Sequence, residues 1–244
     1  MICGIIQSSY IPWRGYFDII HDCDVFVFHD DIQYTKQDWR NRNRIKTRAG
    51  LKWLTVPVGT VPTQTLIDEV MITDLSWAEK HLKFIEINYR EAPYFSLYFK
   101  LLESLYKHPW RKLAELNRAL TIEISQALGI RTKFILSSDL NVSGKKTDRI
   151  VRICREVGAD HYLSGPSARA YLDEHRLDKH GIGLSYKTYD YEPYPQLHGP
   201  FEPQVSIIDL LFNCGPQAPD WIWESPKKND GALHENHLDR HYEL

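Results

Sequence analysis

Apolar residues fall along the chain in short blocks, each closed by polar or turn-forming residues. Ile2 to Ile6 is apolar and β-branched and gives way at once to Gln7, Ser8 and Ser9. That pattern reads as a buried parallel strand. Pro12 and Gly15 mark a loop, and Phe17, Ile19 and Ile20 space a short helix from Tyr16 to Asp22. A second buried strand follows from Asp24 to His29 and ends in Asp30 and Asp31. Strand, loop, helix, strand is a βαβ unit. Ligands of such sheets sit beyond the carboxyl ends of the strands, so Gln7 to Ser9 and Asp30 to Gln33 are placed at a candidate site.

Residues 35 to 50 are polar and without period. Lys52 to Val58 and Leu66 to Ile72 read as strands joined through GTVPTQT, a hairpin. Three helical stretches follow: Ser76 to Arg90 with Ser76 as cap, Tyr94 to Tyr106, and Lys112 to Leu128 stopped by Gly129. Phe134 to Leu136, HYLSG and Leu184 to Tyr189 read as strands. SGKKTDRIVRICREVGA reads as a loop, a helix and the terminating Gly158, and a last apolar helix opens at Ser206. The expected architecture is α/β and Rossmann-like: a mostly parallel sheet with a β-hairpin and an inserted helical segment at about residues 76–128. Residues 1–224 are expected to form a single domain, and residues 225–244 a polar tail.

Composition narrows the function classes. The chain has 244 residues, 43% of them hydrophobic and 25% charged, as in an ordered globular protein. The net charge is −2 and the isoelectric point about 6.6, so no global basic field would draw nucleic acid. Any anion must be held by a local cluster. Cys3, Cys23, Cys154 and Cys214 form no CxxC pair, which points to reduced thiols. There is no signal-peptide pattern, nor a run near the roughly 18 apolar residues of a spanning helix. A cytoplasmic protein without a membrane span is expected.

The strongest local cluster is QYTKQDWRNRNRIKTR, where Lys36, Arg40, Arg42, Arg44, Lys46 and Arg48 stand against Asp38 alone. A guanidinium fork matches phosphate or carboxylate with two parallel hydrogen bonds. In an extended segment Arg40, Arg42 and Arg44 would share one face, with Asn41 and Asn43 on the other. Gln33 and Tyr34 precede the run. A solvated basic loop is the plainer reading of the same residues.

QSSYIPWRGYFD opens directly from the first strand and offers Gln7, Tyr10, Trp13 and Tyr16, with Gly15 allowing close approach of a ligand to the backbone. SGKKTDR places Lys145, Lys146 and Thr147 ahead of a helix as a phosphate cradle, although the Walker spacing is absent. Ser164 and Gly165 lie at a strand end. Asp30 and Asp31, adjacent at a strand end, point to opposite faces, so one can face a pocket while the other pairs the arginine run or caps a loop. General base and magnesium ligand are both open roles for them. His234, His237 and His241 have helical spacing in a polar tail, where solvation is the plain reading, and no metal site is assigned.

IIQSSYIPWRGYFDII, DDIQYTKQDWRNRNRIKT, WLTVPV, YLSGPSARAYLD and FEPQVSIIDLLFNCG together resemble the WbqC-like protein family, over roughly residues 2–215. Some relatives read His-Gln-Pro where this chain has Ile6, Gln7 and Ser8. Members of that family are associated with gene clusters for O-antigen (lipopolysaccharide) and other surface polysaccharides. The resemblance implies a cytoplasmic transferase or amide ligase acting on an anionic nucleotide sugar, by acyl or aminoacyl transfer to an amino sugar. In that reading Arg40, Arg42 and Arg44 hold phosphates or a carboxylate, Gln7, Tyr10 and Tyr16 position the reacting group, and Asp30 or Asp31 takes the proton. A more distant similarity in layout links the chain to pantothenate synthetase and related nucleotidyl-transfer folds. Those carry His-x-Gly-His where Trp13, Arg14, Gly15 and Tyr16 stand, and Gly15 alone matches. Two further readings stay open: a nucleotidyltransferase-like enzyme using ATP with magnesium at Lys145 and Lys146, and a non-catalytic scaffold of polysaccharide assembly. The cofactor and the oligomeric state are unassigned.

Overall fold

A computed structural model describes residues 1–223. The expected tail, with His234, His237 and His241, lies outside the described residues. Five parallel strands form the central sheet: β1 (Ile2–Ile6), β2 (Val25–Phe28), β5 (Lys133–Leu136), β6 (His161–Ser164) and β7 (Gly183–Tyr186). Their order in space is β5-β2-β1-β6-β7. The order reverses between β1 and β6, which is the topological switch point where open α/β sheets hold ligands.

The side-chain period of two sorts the strand residues onto two apolar layers. Cys3, Ile5, Val25 and Val27 pack on one face with α5 (Lys146–Glu156) and α6 (Glu174–Lys179). Phe26 and Phe28 turn the other way, toward α1 (Arg14–His21) and α7 (Ile207–Cys214). Three helices, α2 (Trp77–Tyr89), α3 (Phe95–Tyr106) and α4 (Leu113–Ala127), enter the chain between β2 and β5 and share that second apolar layer. The helices lie where their apolar periodicity predicts them, except α6, a six-residue helix that the pattern does not announce. All four cysteines are free and buried.

The hairpin corrects the sequence reading. It pairs β3 (Arg42–Thr47) with β4 (Gly50–Thr55), in register Arg42↔Thr55 to Thr47↔Gly50. Leu66 to Ile72 is instead a short 3₁₀ turn at Ile67–Glu69, tied to the end of β2 by Ile67 N to Ile32 O at 2.9 Å and Asp68 N to Asp30 O at 3.0 Å. The polar strand was hidden because one of its inward positions is Asn43, which spends its amide on the carbonyls of Tyr10 (3.2 Å) and Ile11 (2.9 Å). β7 also stops at Tyr186, short of the expected Tyr189.

Two buried polar clusters fix the helical segment. Asp209 on α7 is fully buried and accepts from Tyr89 Oη (2.7 Å), Tyr194 Oη (2.9 Å) and Gln196 Nε2 (2.8 Å). Tyr89 Oη in turn accepts from the amide of Lys46 at 3.0 Å, so β3, α2 and α7 meet at one carboxylate. In the other cluster Tyr10 Oη meets Tyr106 Oη and lies 2.8 Å from His81 Nδ1, against Trp77.

Burial lowers the pKa of His81 from 6.5 to about 4. The folded state therefore refuses a proton that the unfolded chain takes up below about pH 6.5. His81 costs stability as pH falls from 6.5 toward 4, at a limiting slope of about 1.4 kcal/mol per pH unit. Urea denaturation from pH 7 to 4.5 will show a smaller acid loss for His81→Gln than for the wild type; equal losses would mean that His81 titrates normally.

Candidate functional site

The carboxyl ends of β1 and β2 bring Asp30, Asp31, Arg40, Arg118 and Arg149 together. Asp30, just past β2, is 2% exposed. Its Oδ1 accepts the Ser8 amide at 2.8 Å, and Oδ2 has no hydrogen bond. Arg118 on α4 approaches Oδ2 to 3.9 Å. Burial raises the Asp30 pKa, opposed in part by the Ser8 amide and by Arg118 and Arg40. Asp31 turns away from it, pairing with Arg149 on α5 and accepting from Ser137 Oγ at 2.5 Å. Divergence is what adjacent residues leaving a strand should show.

Asp68, brought in by the 3₁₀ turn, is felt electrostatically by Asp31 and Arg118; burial raises its pKa. His29 is pushed down to about 4, first by burial and then by the Arg149 charge, so it is neutral near pH 7. Ser8 Oγ, Asp30 Oδ2 and Asp68 Oδ1, and His29 Nε2 on the Asp31 and Arg149 side of the sheet, have no hydrogen-bond partner among the described residues. Each such group costs about 1–3 kcal/mol. Native proteins keep few of them without a water, an ion, a ligand or a catalytic role to account for them.

The arginine run does not act as one face. Arg40 precedes β3 and turns inward, its Nη1 donating to Gln7 O (3.1 Å), Ser8 O (3.2 Å) and Ser9 Oγ (3.0 Å), its Nε 3.5 Å from Asp38. Arg42 and Arg44 do share the outer face of the hairpin, over the indole of Trp53 at 4.4 and 5.3 Å. Asn41 donates to Val56 O at 3.0 Å and, with Asn43, serves the backbone. Arg40 leaves the row because three carbonyl and hydroxyl oxygens of the β1 loop offer it partners inside.

The remaining expected residues are spread out. Tyr16 is beside Asp30: its hydroxyl donates to Gln7 O at 3.1 Å, and burial followed by the Asp30 charge holds it protonated. Tyr34 is buried among the charges of Asp38, Arg40 and Arg42, while Gln33 is exposed and bridges Leu66. Tyr10 lies in the His81 cluster, away from the strand ends. Lys145 and Lys146 are exposed at the head of α5, and Thr147 Oγ1 accepts the Asp173 amide at 3.0 Å. Ser164 and Gly165 are buried at the end of β6, on the far side of the switch point from Ser8; Ser164 Oγ donates to Tyr162 Oη at 3.2 Å. Sequence reasoning missed Arg118 and Asp68. Arg149 stood in plain view at the end of SGKKTDR, but its partner Asp31 is 118 residues away.

Among the described residues one group has the ligand spacing of a metal site: Asp18, His21 and Asp22. The Lys187 ammonium already sits there, 2.6 Å from Asp18 and 2.5 Å from Asp22. Asp30 and Asp31 do not converge with a third ligand.

Gly15 serves Trp13 rather than an approaching ligand. A Cβ at Gly15 would lie 2.4 Å from the Trp13 ring, which packs edge-on to Tyr189 (4.8 Å) and Tyr191 (6.0 Å). Gly15→Ala will displace the indole, lower stability by about 1–3 kcal/mol in chemical denaturation, and shift tryptophan emission. Unchanged stability and emission would refute that role.

Comparison with known proteins gives the family. Residues 7–221 match the WbqC-like protein family. The chain is 46% identical over 222 residues to the Mycobacterium tuberculosis (strain ATCC 25618 / H37Rv) protein Rv1507c, itself uncharacterised, a match covering 90% of this chain and 96% of the relative. No solved structure matches. With nearly the whole described chain inside the match, the protein belongs to the WbqC-like protein family.

Proposed function

We propose that this protein transfers an acyl or aminoacyl group onto the amine of an amino sugar or its nucleotide, as a step in surface-polysaccharide synthesis. The observation that carries the reading is Asp30: a buried carboxylate with a raised pKa, one oxygen fixed by the Ser8 amide and the other without a hydrogen bond, 3.9 Å from Arg118. A more basic carboxylate takes a proton more readily near neutral pH. A second carboxylate oxygen without a hydrogen bond, Asp68 Oδ1, comes from the 3₁₀ turn tied to Asp30 O. Carboxylate oxygens accept hydrogen bonds, which an amine and sugar hydroxyls supply and a phosphate does not. Family membership supports the polysaccharide context.

In the step, Asp30 takes a proton from the attacking amine, and the nitrogen lone pair forms the C–N bond at the acyl carbon. The bond from that carbon to its leaving group breaks, and the leaving group departs with the electron pair. The donor is an activated acyl group such as a thioester or acyl phosphate. Arg118 opposes the rise in the Asp30 pKa and so favours the ionised form that accepts the proton.

A thermal-shift panel of coenzyme A, ATP with magnesium and nucleotide sugars will identify the ligands, because native-state binding raises the melting temperature. An amino-sugar nucleotide is expected to stabilise the protein, with binding weakened in Arg42→Ala. Turnover with that acceptor and an activated acyl donor is expected to fall about 100-fold or more in the isosteric Asp30→Asn. Unchanged turnover would refute the role of Asp30. ATP binding that depends on Lys145 and Lys146 but not on Asp30 would replace the reading with nucleotidyl transfer. No shift with any ligand would favour the scaffold.

A further inference from the structure

We infer that the cleft between Trp39 and Trp53, on the outer face of the hairpin, binds a nucleoside diphosphate. The inference rests on the acyl-transfer reading and assigns it the nucleotide end of its acceptor. The cleft has a volume of about 380 Å³ and is lined by Lys36, Gln37, Trp39, Arg42 and Trp53 among others. That volume falls in the range of small-molecule sites. The two indoles stand 5.5 Å apart with their planes at 40°, and Trp53 is 45% exposed. Cross-strand pairing of Arg44 with Trp53 and Arg42 with Thr55 puts these side chains on the same outward face.

Charge selects the ligand class. Lys36 and Arg42 line the cleft with Asp38, and Arg44, whose Nη2 donates to Gln204 Oε1 at 2.7 Å, lies over both indoles. The nearby carboxylate, Asp38, is already committed to Thr35 Oγ1 (2.6 Å), the Trp39 amide (2.6 Å) and Arg40. Arg42 is held by the Gln37 carbonyl and by its stack on Trp53, so its guanidinium is set in place before a ligand arrives. A neutral sugar would use the indoles and have no need of three cations. A nucleoside diphosphate uses both, its base on an aromatic face and its phosphates on guanidinium and ammonium groups. One cleft of this size on a chain of net charge −2 fits a mononucleotide better than a strand of nucleic acid.

Arg40 links the cleft to the strand ends. Its Nε faces Asp38 in the cleft wall, and its Nη1 holds the carbonyls of Gln7 and Ser8, whose amide fixes Asp30. Asp38 and Arg40 are two residues apart, about 7.6 Å at most between Cα atoms.

The test uses uridine diphosphate and guanosine diphosphate with the wild type, Trp53→Ala and Asp30→Asn, read by calorimetry and tryptophan fluorescence. At least one nucleotide is expected to bind the wild type and Asp30→Asn with equal affinity and to quench emission. Affinity should fall about tenfold or more in Trp53→Ala, a substitution of an exposed side chain whose melting temperature checks that the fold is kept. Equal affinity in Trp53→Ala, no binding of either nucleotide, or Trp53-dependent binding of free glucosamine in their place would overturn the inference. The two readings fail separately. Trp53-dependent nucleotide binding with normal Asp30→Asn turnover keeps the cleft and removes the base; the reverse pattern removes the cleft alone.

Discussion

The site depends on one buried cation. Arg40 is 5% exposed, and three of its contacts are to the short loop that leaves β1. Burying a guanidinium is unfavourable unless its donors find acceptors, and here backbone carbonyls and a serine hydroxyl supply them. The consequence is directional. With the carbonyls of Gln7 and Ser8 turned toward Arg40, the Ser8 amide meets Asp30 at 2.8 Å. The loop, the hairpin segment and the second strand are locked together by groups that would otherwise each need water.

A parallel logic holds the helical segment in place. Asp209 gathers Tyr89, Tyr194 and Gln196, and Lys46 reaches the carbonyls of Gly199 and Pro200 at 3.1 and 2.6 Å. Arg14 lies over Tyr191 and Tyr194 at 4.5 and 5.2 Å and donates to the carbonyls of Glu192 and Trp221. These networks are satisfied, whereas the atoms around Asp30 are not. Closed polar networks specify a fold, and open ones await a ligand.

The sheet and its helices were legible because apolar periodicity is local. β1, β2, α2 to α5 and α7 follow from blocks such as ICGII, VFVF and IIDLLFNC, whereas the six-residue α6 is too short to show a period. The hairpin was misplaced because Asn43 occupies an inward position that pattern reading reserves for an apolar side chain. Asp30 and Tyr16 were legible as strand-end and loop residues of a βαβ unit. Arg118 was not, since a mid-helix arginine has no signature until tertiary packing brings it to 3.9 Å from Asp30. The arginine run was visible as a cluster, yet its division between an inward Arg40 and an outward Arg42 and Arg44 follows from where β3 begins.

The account stands or falls on the protonation of Asp30. Carbon-13 NMR of aspartate-labelled protein, with Asp30→Asn to assign the resonance, follows that carboxyl through a pH titration. The structure calls for a midpoint above the ordinary value of 3.8, moving further when Arg118 is replaced by Met, which removes an opposing charge. A midpoint at or below 3.8 would show Asp30 to be an ordinary structural carboxylate and would contradict the account.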